Sequence, residues 1–292
     1  MQNPDLRDPL ALRNLAAPAK LNLFLHVVGR RPDGYHLLET VFTFLDWGDR
    51  IDLALRRDGR IVRSTALPGV PEDADLCVRA ARLLADHACC ALGVEISVDK
   101  RLPMGGGLGG GSSDAATVLL GLNRLWQLDL PRAELAQLGL ALGADVPVFV
   151  MGESAFATGV GEVLQRVEVD LAWYLVLVPA VSVPTAVIFS APELTRSTPH
   201  VKLEDFPAHF GPAASFGQND LEAVVCGRYP PVRECLDWLR ERTEARMSGS
   251  GCCVYAAFET QKLAEACQAA VPSGWTSFIA AGLQDHPLKI WL

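Results

Sequence analysis

The chain has 292 residues, half of them hydrophobic and 21% charged, with a formal net charge of −8. That composition builds one large or two ordinary globular domains and excludes a disordered chain. The acidic balance argues against a nucleic-acid scaffold, which needs a basic face, but leaves room for a small anionic ligand in a locally positive pocket.

The first twenty residues scatter Asp5, Arg7, Asp8 and Arg13 and contain no apolar core segment, so no signal peptide is expected. No run approaches the roughly 18 apolar residues of a membrane span, so no membrane partner is expected. The eight cysteines include the adjacent pairs Cys89-Cys90 and Cys252-Cys253 and no C-x-x-C. This is neither a zinc pattern nor a secreted disulfide framework, and reads as buried thiols in a reducing cytoplasm.

"KLNLFLHVVGR" (residues 20–30) alternates, with Leu21, Leu23, Leu25 and Val27 on one face and Lys20, Asn22, Phe24 and His26 on the other. A Pro-Asp-Gly turn follows, then strands at "LLETVFTFLDW" and "DRIDLALR", giving an antiparallel meander. "LCVRAARLLADHA" is helical and "GVEISVDKRLP" is a further alternating strand. A glycine-rich loop then opens a helix, and a second helix, "RAELAQLGLALGA", closes at Gly143. Beyond a boundary near residues 160–170, "WYLVLVP" reads as a buried strand and "PTAVIFSAPEL" as a short helix. Thr195 to Gly217 reads as loop. Two helices, the glycine turn "SGSG" between strands, the helix "KLAEACQAA" and the strand "TSFIAAGL" complete an α+β layer.

Six glycines fill seven positions from Gly105 to Gly111. Glycine costs roughly 0.5–1 kcal/mol relative to Ala in regular structure, so this loop needs a reason. Free of Cβ atoms, its N–H groups can converge on one point, and the following helix adds the positive end of its dipole at Ser112, Ser113 and Asp114. Together these suit a phosphate; a helix cap alone explains one of those side chains but not six glycines. Gly105-x-Gly107-x-x-Gly110, with Asp129 about 20 residues on, also satisfies the dinucleotide fingerprint. The preceding strand is half-exposed and Pro103 separates it from the loop, whereas a dinucleotide fold needs a buried parallel strand there. Walker A needs Lys after its last Gly, and here Ser112 follows Gly111.

The loop pattern Pro103, Gly107, Leu108, Gly109, Ser112, Ser113, Ala115, Ala116 resembles the signature loop of the GHMP small-molecule kinases. The likeness continues through "APAKLNLFLHVVGRRPDGYHLLETVF", "LGADVPVF", "PTAVIF", "NDLE" and "SGSG", in that order and over most of the chain. It implies a two-domain α+β GHMP kinase fold. Residues 1–165 would form a ribosomal-protein-S5-like domain with a left-handed βαβ-type nucleotide site, and residues 166–292 a ferredoxin-like α+β domain.

The implied activity is transfer of the ATP γ-phosphoryl to a hydroxyl of a small alcohol that carries a cytidine diphosphate moiety, with Mg²⁺ as helper. The protein would be cytoplasmic, and a monomer or weak homodimer. By resemblance Asp145 is the base, in apolar company that desolvates it in part, and Lys20 is its cationic partner. Alone, Asp145 reads equally as a helix cap, and Lys20 as a solvated edge-strand lysine. ATP would be held by Lys100, Pro103, Met104, Gly105, Gly106, Gly107, Leu108, Gly109, Gly110, Gly111, Ser112 and Ser113. The cytosine would meet Tyr35, His36 and Phe189, with Asn22 and Thr185 nearby, although an aromatic in "AVIF" is more often core. The metal ligands stay unassigned, with Ser112, Ser113 and Asp114 in reach. His26, His87, His200, His209 and His286 have no claim on the site. One departure stands out: the family opens the helix before the phosphate strand with Asn-Leu, Asn near adenine, and this chain has Asp75-Leu76. An ionised Asp cannot donate a hydrogen bond. A GHMP kinase for another alcohol, or a non-catalytic nucleotide binder on the same fold, are the alternatives.

Overall fold

The computed structural model describes residues 10–202, Phe206 and residues 216–291. Two long strands, β1 (Ala11–Arg30) and β2 (His36–Arg56), pair antiparallel along their whole length. The meander expected from the sequence is therefore longer and simpler: "LLETVFTFLDW" and "DRIDLALR" are one strand. The free edge of β2 carries three partners in succession. Thr40–Phe42 meet β5 (Ala155–Thr158), Phe44–Leu45 meet β10 (Thr276–Leu283), and Arg50–Arg56 meet β4 (Gly93–Asp99). β3 (Ile61–Arg63) adds in parallel to β4, and β6 (Val163–Arg166) adds to β5.

In the C-terminal half, β7 (Trp173–Val178) lies between β10 and β9 (Val254–Phe258), and β8 (Ala245–Met247) closes the edge. β10 joins the halves. Thr276–Ala281 pair with β7, and Gly282–Leu283 pair with β2.

The alternation along β1 does not divide inside from outside. Lys20, Asn22, Phe24 and His26 are buried, as are Leu21, Leu25 and Val27. Leu21, Leu25 and Val27 pack into the C-terminal core, Phe24 joins Val41 and Phe156, and Lys20 and Asn22 face a cavity. Register shifts between Pro18 and Lys20 and between Asn22 and Leu25 bend the strand there, as bulges do.

Helix α1 (Leu76–His87) and the helix after the glycine loop, α2 (Gly110–Leu125), cover β1, β2 and β4. α2 is buried nearly all round, its polar Ser113, Asp114, Thr117 and Asn123 included, as befits a central helix. It lies so close to the sheet that a Cβ on Gly121 would meet Leu53 at 2.5 Å. α3 (Arg132–Leu140) and α4 (Val146–Met151) finish that layer. α5 (Thr185–Phe189), α6 (Glu222–Arg228), α7 (Pro230–Arg240) and α8 (Gln261–Gln268) belong to the second half. No helix among the described residues is long and apolar enough to cross a membrane. The Thr195–Gly217 segment lies partly outside the described residues, as does His209.

Candidate active site

A cavity of about 990 Å³ opens between the two halves. It is lined by every site residue expected from the sequence except Ser113, whose side chain is fully buried under the loop. The volume is at the upper end for small-molecule sites.

The loop's three left-handed glycines are Gly105, Gly107 and Gly109, with φ of 69°, 74° and 74°. A side chain at any of them would be strained. α2 starts at Gly110, capped by Gly109 with no side-chain hydrogen bond. Ser112 and Ser113 thus lie within the first turn and Asp114 just beyond it, and none of them caps the helix. The helix presents its first amides and positive dipole end to the cavity without a competing side-chain acceptor, the arrangement that binds anions.

Lys100 sits under this turn. Its ammonium donates to Asp49 and, at 2.7 Å, to Asp114. Asp49 is fully buried and also accepts from the backbone N–H groups of Arg101 (2.6 Å) and Leu102 (2.7 Å). One ammonium serves two carboxylates here, and burial together with the Asp49 charge pushes the Asp114 carboxyl up to about 8. Asp49 is the partner that sequence reasoning missed. Nothing in "DWGDR" distinguishes it from a turn residue.

Lys20 is sealed from solvent. Its Nζ donates to Asn22 Oδ1 and to the carbonyl of Gly107 (3.1 Å), and lies 3.5 Å from Asp145 Oδ2. Burial lowers its pKa and the Asp145 charge opposes that. The Asn22 amide is oriented by a relay: Thr40 Oγ1 donates to the Phe24 carbonyl, leaving its lone pair to accept from Asn22 Nδ2 at 2.9 Å. Asn22 Oδ1 must then face Lys20. Asp145 stands at the N-cap position of α4, yet its carboxylate makes no cap bond. It is 34% exposed and turned to Lys20 and the cavity, so it is less desolvated than its apolar neighbours suggested.

The "SGSG" turn, Ser248–Gly251, closes on the loop. Ser248 Oγ donates to the Gly107 carbonyl at 2.9 Å, and the Cys253 N–H donates to the Gly106 carbonyl at 3.0 Å. Asn219, from "NDLE", fixes the turn by donating from Nδ2 to the carbonyls of Met247 and Gly249, both at 2.8 Å.

At the other end of the cavity, Tyr35 is 63% exposed on the β1–β2 turn. His36 is buried, and its ring centroid is 5.1 Å from that of Phe189 at an interplanar angle of 33°. Phe189 is half-buried, with one side on the C-terminal core and the other on the cavity. Thr185 Oγ1 lies 2.7 Å from Ser250 Oγ. Burial, then the charges of Arg196 and Arg30, lower the His36 pKa.

Asp75 also lines the cavity. One oxygen caps α1 by accepting from the Cys77 N–H (2.8 Å), and the other accepts from Arg63 Nη1 (2.6 Å). The guanidinium therefore neutralises the acid that replaces the family's Asn. Among the remaining histidines, His87 pairs with Glu134, His200 pairs with Glu39, and His26 and His286 are buried away from the cavity.

Two family models and several known proteins match this chain. Residues 75–153 match the family model described as GHMP kinases N terminal domain, and residues 203–276 match GHMP kinases C terminal. A 4-diphosphocytidyl-2-C-methyl-D-erythritol kinase of Thiobacillus denitrificans is 62% identical, covering 93% of this chain and 96% of its own. The protein of that name from Burkholderia pseudomallei is 56% identical, over 95% of this chain and 96% of its own. A crystal structure of 4-(cytidine 5'-diphospho)-2C-methyl-D-erythritol kinase superposes with a TM-score of 0.72 at 32% identity, covering 91% of this chain and 98% of the other. A homoserine kinase from Cytophaga hutchinsonii, 14% identical with a TM-score of 0.64, shares the fold.

Proposed function

Since the chain belongs to the GHMP kinases, we infer that it phosphorylates 4-diphosphocytidyl-2-C-methyl-D-erythritol at its 2-hydroxyl with ATP, a step of the non-mevalonate isoprenoid precursor route. The observation that carries this reading is one cavity lined by the glycine loop, by the rings of Tyr35, His36 and Phe189, and by the Lys20–Asp145 pair.

In this reading the ATP phosphates lie against the amides of Gly105 to Ser112 at the α2 N-terminus. The pyrimidine lies among Tyr35, His36 and Phe189, and its tail brings the alcohol to Asp145. Asp145 accepts the hydroxyl proton as the new O–P bond forms and the bond to ADP breaks. Lys20 holds the carboxylate in place and offsets charge on the reacting oxygens. Lys20 also bonds the Gly107 carbonyl, so the base is positioned against the loop that holds the donor phosphate. For magnesium, Ser112 is the hydroxyl of the first turn that faces the cavity, whereas Ser113 is buried, and Asp114, which also lines the cavity, gives Oδ2 to Lys100 and has its Oδ1 buried without a partner. A single hydroxyl fits an ion bound mostly by phosphate and water. Ser112 would hold the ion, which supplies charge neutralisation to the phosphoryl group. Asp75, neutralised by Arg63, keeps lone pairs that suit an adenine amino group.

The test is ADP release from Mg-ATP with 4-diphosphocytidyl-2-C-methyl-D-erythritol, run beside homoserine, mevalonate and galactose. Turnover with the cytidylyl alcohol alone is expected. Turnover with another alcohol and none with it would overturn the base-pocket reading.

A further inference from the structure

Arg196 follows α5, outside every motif of the sequence. Its Nη1 donates to the Leu194 carbonyl at 3.0 Å, and its Nη2 donates to the carbonyls of Phe189 (3.0 Å) and Ala191 (2.7 Å). Three carbonyls thus pin the guanidinium at the end of α5. Its remaining Nε–H donates to His36 Nε2 at 3.0 Å. Arginine has no acceptor and does not lose its proton in proteins. His36 Nε2 must therefore present its lone pair, and the ring's single proton sits on Nδ1. A second proton would set a cation against Arg196, with Arg30 adding to the penalty, in line with the lowered His36 pKa.

We propose that Arg196 is a positioning residue that fixes His36 as an Nδ1–H donor, and that this donor selects a pyrimidine with a bare N3, as in cytosine, over one with an N3–H, as in uracil. The proposal rests on the reading that this end of the cavity takes a pyrimidine nucleoside diphosphate. Cytosine N3 is an acceptor, and uracil N3 is a donor. A fixed donor facing N3 completes a hydrogen bond with the first and opposes a second donor in the other. A histidine free to exchange tautomers would satisfy both bases. The same guanidinium holds the Phe189 carbonyl, so it ties together the two rings that stand 5.1 Å apart at the base pocket. His36 alone would not define the pocket's polarity.

Two readouts test this. Ring-nitrogen NMR on the ligand-free protein reports the tautomer of His36. Steady-state kinetics compare the cytidine substrate with its uridine counterpart in wild type, Arg196→Leu and Arg196→Lys. The wild type should show Nδ1–H with a bare Nε2. It should favour the cytidine substrate in kcat/KM by at least about tenfold, the cost of opposing two buried donors. Arg196→Leu should mix the tautomers and bring the ratio towards one, through KM of the cytidine substrate with kcat little changed. Arg196→Lys, which keeps one donor without the fork, should restore part of the ratio. A proton on Nε2 in the wild type overturns the proposal with no variant needed. So does a folded Arg196→Leu that keeps the wild-type ratio. Both results leave the functional reading standing if the wild type turns over the cytidine substrate; no turnover of either pyrimidine overturns both.

Discussion

The Lys20 ammonium lies 3.5 Å from the Asp145 carboxylate, and the two reach each other from β1 and from the turn before α4. The lysine is sealed and the aspartate is a third exposed, so the pair is open only on the cavity side. A buried ammonium needs compensation, and here it comes from Asp145, Asn22 and the Gly107 carbonyl. Replacing Asp145 with Asn should lower kcat by roughly 10²–10⁴, the usual worth of a positioned general base. Lys20→Met should fall in the same range, and the double variant should lose little more than either single one, because the two act as a unit. ADP-release kinetics on the three proteins decide this. An Asp145→Asn variant within threefold of wild type would remove it from the chemistry.

Gly107 is where the loop approaches the other half most tightly. It holds φ of 74°, and a Cβ there would lie 2.1 Å from the Ser248 carbonyl oxygen. Backbone on both sides leaves no flexible group to give way. Gly107→Ala should therefore push the loop off the Ser248 turn and break the Lys20 and Ser248 bonds to the Gly107 carbonyl. Weaker ATP binding by at least about tenfold, seen by calorimetry, is the expected result, with Gly227→Ala as control, since that glycine has open space around it. Equal ATP affinity in both variants would show that the close approach does not shape the loop.

How far was this legible in the sequence? The glycine loop was, because six glycines before a helix have few other uses and three of them adopt left-handed backbone. Lys20 and Asp145 were legible only through resemblance, since each alone reads as an ordinary surface or cap residue. What escaped was whatever depends on distant pairing. Period-2 alternation put Lys20 and Asn22 on a polar face, but β1 is covered by the N-terminal helices on one side and by the C-terminal core on the other, and no local pattern carries that. Asp49 and Arg196 are 51 and 160 residues from the groups they fix, Lys100 and His36. Their roles come from the fold that brings them together.

Phe189 read more readily as core than as site, and its ring borders both. One side packs on the C-terminal cluster and the other lines the cavity beside His36. Stacking on a base is worth roughly 1–3 kcal/mol. Phe189→Ala should raise KM for the cytidine substrate by roughly fivefold to a hundredfold with kcat nearly unchanged, while KM for ATP stays as it was. Steady-state titration of each substrate checks this. An unchanged KM in a folded variant would return the ring to the core.

His286 gives the fold a dependence on acid that has nothing to do with the site. It is buried, and burial, with Arg132 next, drives its pKa down to about 3. Its Nδ1 accepts from the Leu288 N–H at 3.0 Å, which requires a bare nitrogen, and its ring stands edge-on to Phe44. The unfolded chain binds a proton at this group near pH 6.5 and the folded chain does not until about 3. The stability it contributes is therefore complete above 6.5 and lost as the pH falls from there to 3, by up to about 1.4 kcal/mol per unit. His286→Asn keeps an acceptor for the Leu288 N–H and removes the titration. Urea unfolding at pH 7 and pH 5 should show a larger loss in wild type than in His286→Asn. The difference should approach 2 kcal/mol at pH 5, since every other group titrates alike in both proteins. Equal losses would mean that His286 is accessible to protons in the folded state, and that the acid sensitivity of this fold lies in its carboxylates.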